Sequence, residues 1–317
     1  MKDFLFFNHS WVANSSYIFK SFEQCGYTCD YVTEKNINEF ELKSKYRVVI
    51  VYLHSHPWVN IVNLLLNHKL LQDSFVVQHD DTDFEHVQRY YSREPDLIMQ
   101  RELTSDTINC YNIHVYPHHF PVASIYDEDL QKQDKEFDVM FMGTPSNPRR
   151  EAFIRKIIEL SENKLSHLKW FIRYQPSRTP EDFIYVANKS KIGLNYPGNS
   201  WDSLRIWELA SSKICTIQPK LKMNSVKKSH MPYDEYVVFD MNLSDLEETI
   251  VDQLDNEKYK IMAEKSFTAF NERHSAEKCF EKYHEIVSKH APITTKKVIP
   301  YSPNCIFGEW RKSLINL

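Results

Sequence analysis

Glycine is scarce in this chain, with five in 317 residues against an average usage of about 7%. A sequence that uses glycine so sparingly keeps it for positions where nothing larger fits, so Gly26, Gly143, Gly193, Gly198 and Gly308 each mark a turn or a close approach. Three of the five fall between 143 and 198, and that clustering directs the search. Long apolar runs are also missing. No stretch approaches the roughly 20 residues needed to span a bilayer. The N-terminus, MKDFLFFNHS, is too short in apolar residues for a secretory leader and reads as a first β-strand. The six cysteines form no CxxC pair and no zinc-type spacing. Most sit among apolar neighbours, which predicts reduced, buried thiols in a cytoplasmic protein. No charge of one sign dominates. The net charge of −4 gives no global pull toward nucleic acid or anionic membrane, leaving only local basic segments such as PKLKMNSVKK, TTKK and EWRK.

What is present is ordinary for a globular protein: 42% hydrophobic and 26% charged residues. At 317 residues the chain exceeds what one core usually serves, so two domains are expected. Short apolar runs read as buried strands of parallel sheets: DFLFFN, YRVVIVYL, SFVVQH, LIMQ, NIHVYP, FDVMFMG, LKWFIRY, KIGLNYP, KICTIQP and YVVFD. Amphipathic stretches of helical length lie between them, such as SYIFKSFEQCG, which ends on Gly26, and REAFIRKIIELSENK. This alternation predicts an α/β protein with doubly wound sheets. It weakens once, in the charged segment PVASIYDEDLQKQDKE from Pro121 to Glu136, the expected linker. The expected division is an N-terminal domain over 1–128, a C-terminal domain over 129–290 and a tail over 291–317 that packs back on the first domain. Two such halves imply a central cleft, with ligands beyond the carboxyl ends of the strands.

Two loops of the second half carry the chemistry. After FDVMFM comes GTPSNPRREAFIRKIIEL, where Gly143 closes the strand, Ser146 or Asn147 caps the helix, and Pro148 suits its first turn. Arg149 and Arg150 lie beside the positive end of that helix, an arrangement suited to an anion such as a diphosphate. A capped helix with solvated arginines is the plain alternative. After KIGLN comes YPGNSWDSLRIWELASSK, in which Gly198 and Asn199 permit a tight loop and Ser200, Asp202 or Ser203 caps the helix. Arg205 and Glu208 share a helix face among residues that otherwise want burial. This spacing suits a surface ion pair worth a few tenths of a kcal/mol. It equally suits a carboxylate accepting two sugar hydroxyls beside a guanidinium, and the strand-end position favours that use.

From Phe137 to about Val287 the sequence resembles the donor-binding domain of GT-B glycosyltransferases, of the "group 1" type related to spore-maturation proteins. The resemblance rests on an ordered set: FMG followed by arginine, VANKSKIGLNYP, Arg205-x-x-Glu208-x-Ala210, YVVFDMNLSDLEETI and NERHSAEKCFEKYHEIV. It implies two Rossmann-like domains whose parallel sheets face a central cleft, with a nucleotide-sugar donor, UDP-sugar first among them, in the C-terminal one. It implies Glu208 on the ribose hydroxyls and Arg205 with Arg149 or Arg150 near the phosphates. Gly143, Tyr196 and Gly198 complete the implied donor set. Two departures stand out: a second glutamate of retaining relatives is Ser200 here, and a glycine common after the helix is Ser212 or Lys213.

The N-terminal half resembles that family in outline only. Its strand-end loops offer His9, then His54 and His56, then Asp80, Asp81 and Asp83. A transfer that inverts needs a base for the acceptor hydroxyl, and His9 and Asp81 are the candidates. Asp81-Thr82-Asp83 is also a D-x-D that could hold a divalent cation, although capping and the helix dipole explain it as well. HVYPHHFP reads as a structural turn, and Phe280, Tyr283 and Ile286 as a core-facing stripe. The expectation is therefore a metal-independent glycosyltransferase without a cofactor, acting on a saccharide, protein, small-molecule or modified nucleic-acid hydroxyl. A metal-dependent transferase using Asp81 and Asp83, and a non-catalytic nucleotide- or sugar-binding module, stay open as rivals.

Overall fold

The computed structural model describes residues 1–8, 13–52, 58–80, 91–101, 114–117, 122–175, 179–198, 203–221 and 236–299. The chain divides into two compact units, Met1–Pro121 with Ala276–Leu317, and Val122–Ser275. Among the described residues no helix is long and apolar enough to cross a membrane.

The first unit is built on β1 (Lys2–Asn8), β2 (Cys29–Thr33), β3 (Tyr46–Val51), β4 (Phe75–Asp80), β5 (Leu97–Gln100) and β6 (His114–Pro117), all parallel in the order β2-β1-β3-β4-β5-β6. Helices α1 (Ala13–Gln24) and α2 (Trp58–Leu66) connect strands. The continuous run FLFF in β1 is explained by burial on both faces. Leu5 and Phe7 join Val49, Val51 and Val62 on one side, while Phe4 packs at a tilt against Phe22 and Phe6 stacks on Phe19 on the other. Gly26 follows α1 with φ +84°, the left-handed turn that glycine enters most easily. Strand β2, CDYVT, is the one described strand that no apolar run announced. It is an edge strand in which Val32 alone is fully buried, so its sequence stays polar.

The second unit begins with a short α3 (Glu128–Gln131), capped by Asp127, and continues through β7 (Phe137–Met142), α4 (Pro148–Glu162), β8 (Trp170–Arg173), α5 (Pro180–Asn188), β9 (Ser190–Leu194), α6 (Leu204–Ser211), β10 (Cys215–Pro219), β11 (Val237–Phe239), α7 (Leu246–Leu254) and α8 (Lys258–Ala269). Its parallel sheet runs β11-β10-β9-β7-β8. The chain steps from β7 to β8 on one side and then resumes at β9 on the other. The β7/β9 boundary is thus the switch point at which the following loops part and leave a crevice. Val139, Phe141, Phe153, Ile192, Leu194 and Phe239 are among the buried residues of its core.

The division differs from the expected boundaries at 128/129 and 290/291. The segment expected to be a linker opens the second unit, where the Asp127 and Ile125 backbones bond to the Asn188 side chain. Helix α9 (Ala276–His290) belongs to the first unit: Phe280 packs edge-on against Phe22, and His284 meets the Tyr27 hydroxyl at 3.0 Å.

Candidate functional site

The loops after β7 and β9 meet because their strands are neighbours, with Met140 paired to Gly193. Asn147 ties them together. Its Oδ1 accepts the Arg150 backbone N–H at 3.0 Å, capping α4, while its Nδ2 donates to the Gly198 carbonyl at 2.5 Å. Pro148 occupies the first turn, where its missing N–H is harmless. On the second loop Ser203 caps α6, its Oγ accepting from the Arg205 N–H at 3.3 Å.

The two arginines of the first loop part company. Arg149 is exposed, whereas Arg150 turns inward and is only 9% exposed. Its guanidinium lies between two glycine backbones. A Cβ on Gly143 would come within 2.5 Å of Nη2, and one on Gly198 within 3.0 Å of Nη1. The scarce glycines at these positions thus make a slot that alanine would narrow. The third, Gly193, serves packing instead, since its Cβ would strike Leu209 and Ile214.

Nε of Arg150 is buried without a hydrogen bond. Among the described residues the guanidinium has no carboxylate or hydrogen-bond partner, only the Phe141 ring 5.9 Å away. Burial, with the neighbouring Arg205 charge second, pushes its pKa down to about 10. A buried cation without a counter-charge is unfavourable by itself, so the slot is electrostatically incomplete.

Arg205 and Glu208 lie close by on α6. Arg205 Nη1 is 3.2 Å from Glu208 Oε2, with the side chains 24% and 16% exposed. That distance qualifies as an ion pair, yet Nη1 has no hydrogen-bond partner, so the contact is one of charge and not a directed bond. The face of the guanidinium rests on Phe183 of α5, its Cζ 3.8 Å from the ring centroid. No described residue hydrogen-bonds Glu208 Oε1. Beneath the loop, Tyr196 is a core residue: its ring stacks on Phe153 at 4.7 Å, and its hydroxyl donates to the Met241 carbonyl at 3.4 Å. It supports the loop from below rather than lining the slot.

Gly143, Arg150, Gly198, Arg205 and Glu208 are therefore brought together, Arg149 stands at the rim, and Tyr196 lies underneath. His9, Asp81, His54, His56, Asp83 and Ser200 fall outside the described residues. Asp80 is buried at the end of β4, and Asn8, Gln100 and Arg101 are buried at the ends of β1 and β5 in the same unit. His114 and His290 form a ring pair at 4.5 Å. Among the described residues no group of three metal-ligating side chains occurs. Phe183 had no signal beyond its place in a helical apolar stripe, and Asn147 was visible as a cap but not as a tie between loops.

No family model and no curated protein matches the sequence. Solved structures do. An alpha-glucosyltransferase in complex with UDP and a 13-mer DNA containing an HMU base is similar with a TM-score of 0.57 and 12% identity over 90% of this chain and 99% of that one. HepE from Anabaena, in complex with UDP-glucose, gives 0.56 and 8% over 91% and 100%. A glycosyltransferase from Rickettsia africae gives 0.53 and 11% over 91% and 98%. Together with the two parallel sheets, these likenesses establish the GT-B fold.

Proposed function

We propose that this protein is a glycosyltransferase that holds a nucleoside-diphosphate sugar on the 122–275 unit and passes the sugar to a hydroxyl acceptor. The observation that carries the proposal is Arg150, a buried guanidinium to which no described residue offers a counter-charge, slotted between Gly143 and Gly198 at the switch point of the sheet. A diphosphate supplies the missing charge, and the positive end of α4 with Arg149 at the rim adds to its attraction. Glu208, with Oε1 unengaged, suits two vicinal ribose hydroxyls, and Arg205 beside it adds a second positive charge. UDP is the nucleotide to test first, because UDP or UDP-glucose is bound in the alpha-glucosyltransferase and HepE structures. The ordered motifs around Arg205 and Glu208 favour the "group 1" type within this fold.

In the reaction the bond from the anomeric carbon to the diphosphate oxygen breaks as the acceptor oxygen bonds to that carbon. Negative charge grows on the departing diphosphate, and Arg150 and Arg205 are fixed in advance where it grows, so that no metal is needed to neutralise it. The acceptor proton passes to a base in the first unit, for which His9 and Asp81 are the candidates. The thiols of Cys25, Cys29 and Cys215, none of them in a disulfide, suit a reducing cytoplasm.

Thermal unfolding with UDP, GDP, ADP and CDP tests the reading. At about a hundred times Kd one diphosphate should raise Tm by about 5 °C, with or without EDTA. Arg150→Met and Glu208→Ala should each remove most of that rise. An equal rise in all three proteins would refute the assigned site.

A further inference from the structure

We infer that Phe183 is a positioning residue for this site: its ring fixes the Arg205 guanidinium beside Arg150 and holds it out of a hydrogen-bonded pair with Glu208. The inference rests on the nucleotide-sugar reading for its functional meaning, but its geometry is independent of that reading.

An arginine near the start of a helix has several rotatable bonds, and holding its side chain still costs conformational entropy. Two neighbours pull on Arg205 unequally. Glu208, three residues on, would draw it into a bidentate pair that occupies both carboxylate oxygens. Arg150 repels it. The observed position follows neither pull. The contact with Glu208, Nη1 to Oε2 at 3.2 Å, lies outside hydrogen-bond geometry. What the guanidinium does rest on is the Phe183 face, with Cζ 3.8 Å from the centroid, well inside the roughly 6 Å range of a cation–π contact.

Stacking uses the face of the guanidinium and leaves its in-plane N–H groups for an anion. The ring itself is immobile: Phe183 is 3% exposed, and α5 is pinned by Thr179 at its start and by Asn188 at its end, whose Nδ2 donates to the Ile125 carbonyl at 2.8 Å. Phe183 therefore does two things at once. It places a second cation near the buried one, and it leaves Glu208 Oε1 open for a hydroxyl.

The test separates the ring's electrons from its bulk. Phe183 is replaced by 4-fluoro-, 3,5-difluoro- and 3,4,5-trifluorophenylalanine, which keep the shape while weakening the negative face, and by leucine. UDP affinity should fall stepwise with fluorination and about tenfold in Phe183→Leu, with Tm of the unliganded protein unchanged across the fluorinated series. In an Arg205→Met background, Phe183→Leu should have no further effect on UDP affinity. Equal affinity across the fluorinated series, or the same tenfold loss without Arg205, would overturn the inference. A second measurement needs no nucleotide. In unliganded protein the ring current should shift the Arg205 Nε–H resonance upfield, and Phe183→Leu should return it to the usual range. Failure of wild type to bind UDP with that shift present removes the nucleotide reading and leaves the hold on Arg205 standing; absence of the shift removes the hold itself.

Discussion

Arg150 is where the chemistry concentrates. Its buried guanidinium makes Gly143 a sensitive position, because a Cβ there points at the flexible end of the arginine and not at backbone. Gly143→Ala should therefore fold, with Tm within a few degrees of wild type, since φ at this residue lies outside the left-handed range. UDP affinity should nevertheless fall roughly tenfold or more, because a displaced guanidinium forfeits charge-assisted bonds of about 1.5–3 kcal/mol each. Calorimetric titration checks this, and unchanged affinity would separate the glycine slot from the ligand. Two adjacent arginines could not be told apart in the sequence. Burial, a property of the folded unit, singles out Arg150.

At the scale of elements, Asn147 links the α4 cap to the β9–α6 loop. Asn147→Ala leaves both the Arg150 N–H and the Gly198 carbonyl without it, a loss of about 2 kcal/mol and roughly 5 °C in Tm. Asn147→Asp keeps the cap acceptor but loses the donor to Gly198, so it should recover about half of the stability while UDP binding stays weakened. Helix α9 carries a second element-scale prediction. Burial holds the His284 pKa below its ordinary 6.5. The folded state therefore favours neutral His284, and the unfolded chain binds more protons once the pH drops below about 6.5. Stability should decline as the pH falls from about 6.5 through the folded-state pKa, and should be flat for this group above it. Urea midpoints at pH 7 and 5 should differ less in His284→Gln than in wild type.

For the whole molecule, the return of the chain into the first unit matters most. Phe280, Tyr283 and Val287 of α9 are buried there, against the face that α1 shares with β1. A chain ending at Ser275 should lose the cooperative unfolding of the first unit and expose Phe22, measured as increased dye binding, while 122–275 retains its own transition. Retention of both transitions would contradict the assignment of α9.

The fold was largely legible from sequence because its signals are local. Buried parallel strands require apolar runs, helices show caps and a periodic face, and ten of the strands sit within runs recognised in that way. Among the described strands only CDYVT escaped, since an edge strand needs little apolar surface. The helix starts at Asn147 and Ser203, and the pairing of Arg205 with Glu208, are likewise properties of residues a few positions apart.

What tertiary structure alone decided joins residues far apart in the chain. Gly143 and Gly198 share one arginine because β7 and β9 are neighbours at a switch point. Phe183 of α5 meets Arg205 of α6 although 22 residues separate them, and α9 joins the first unit because its apolar face matches Phe22 there. A stripe of apolar residues states that a helix will be buried, but the stripe is the same whatever covers it. Only the packed chain selects the partner.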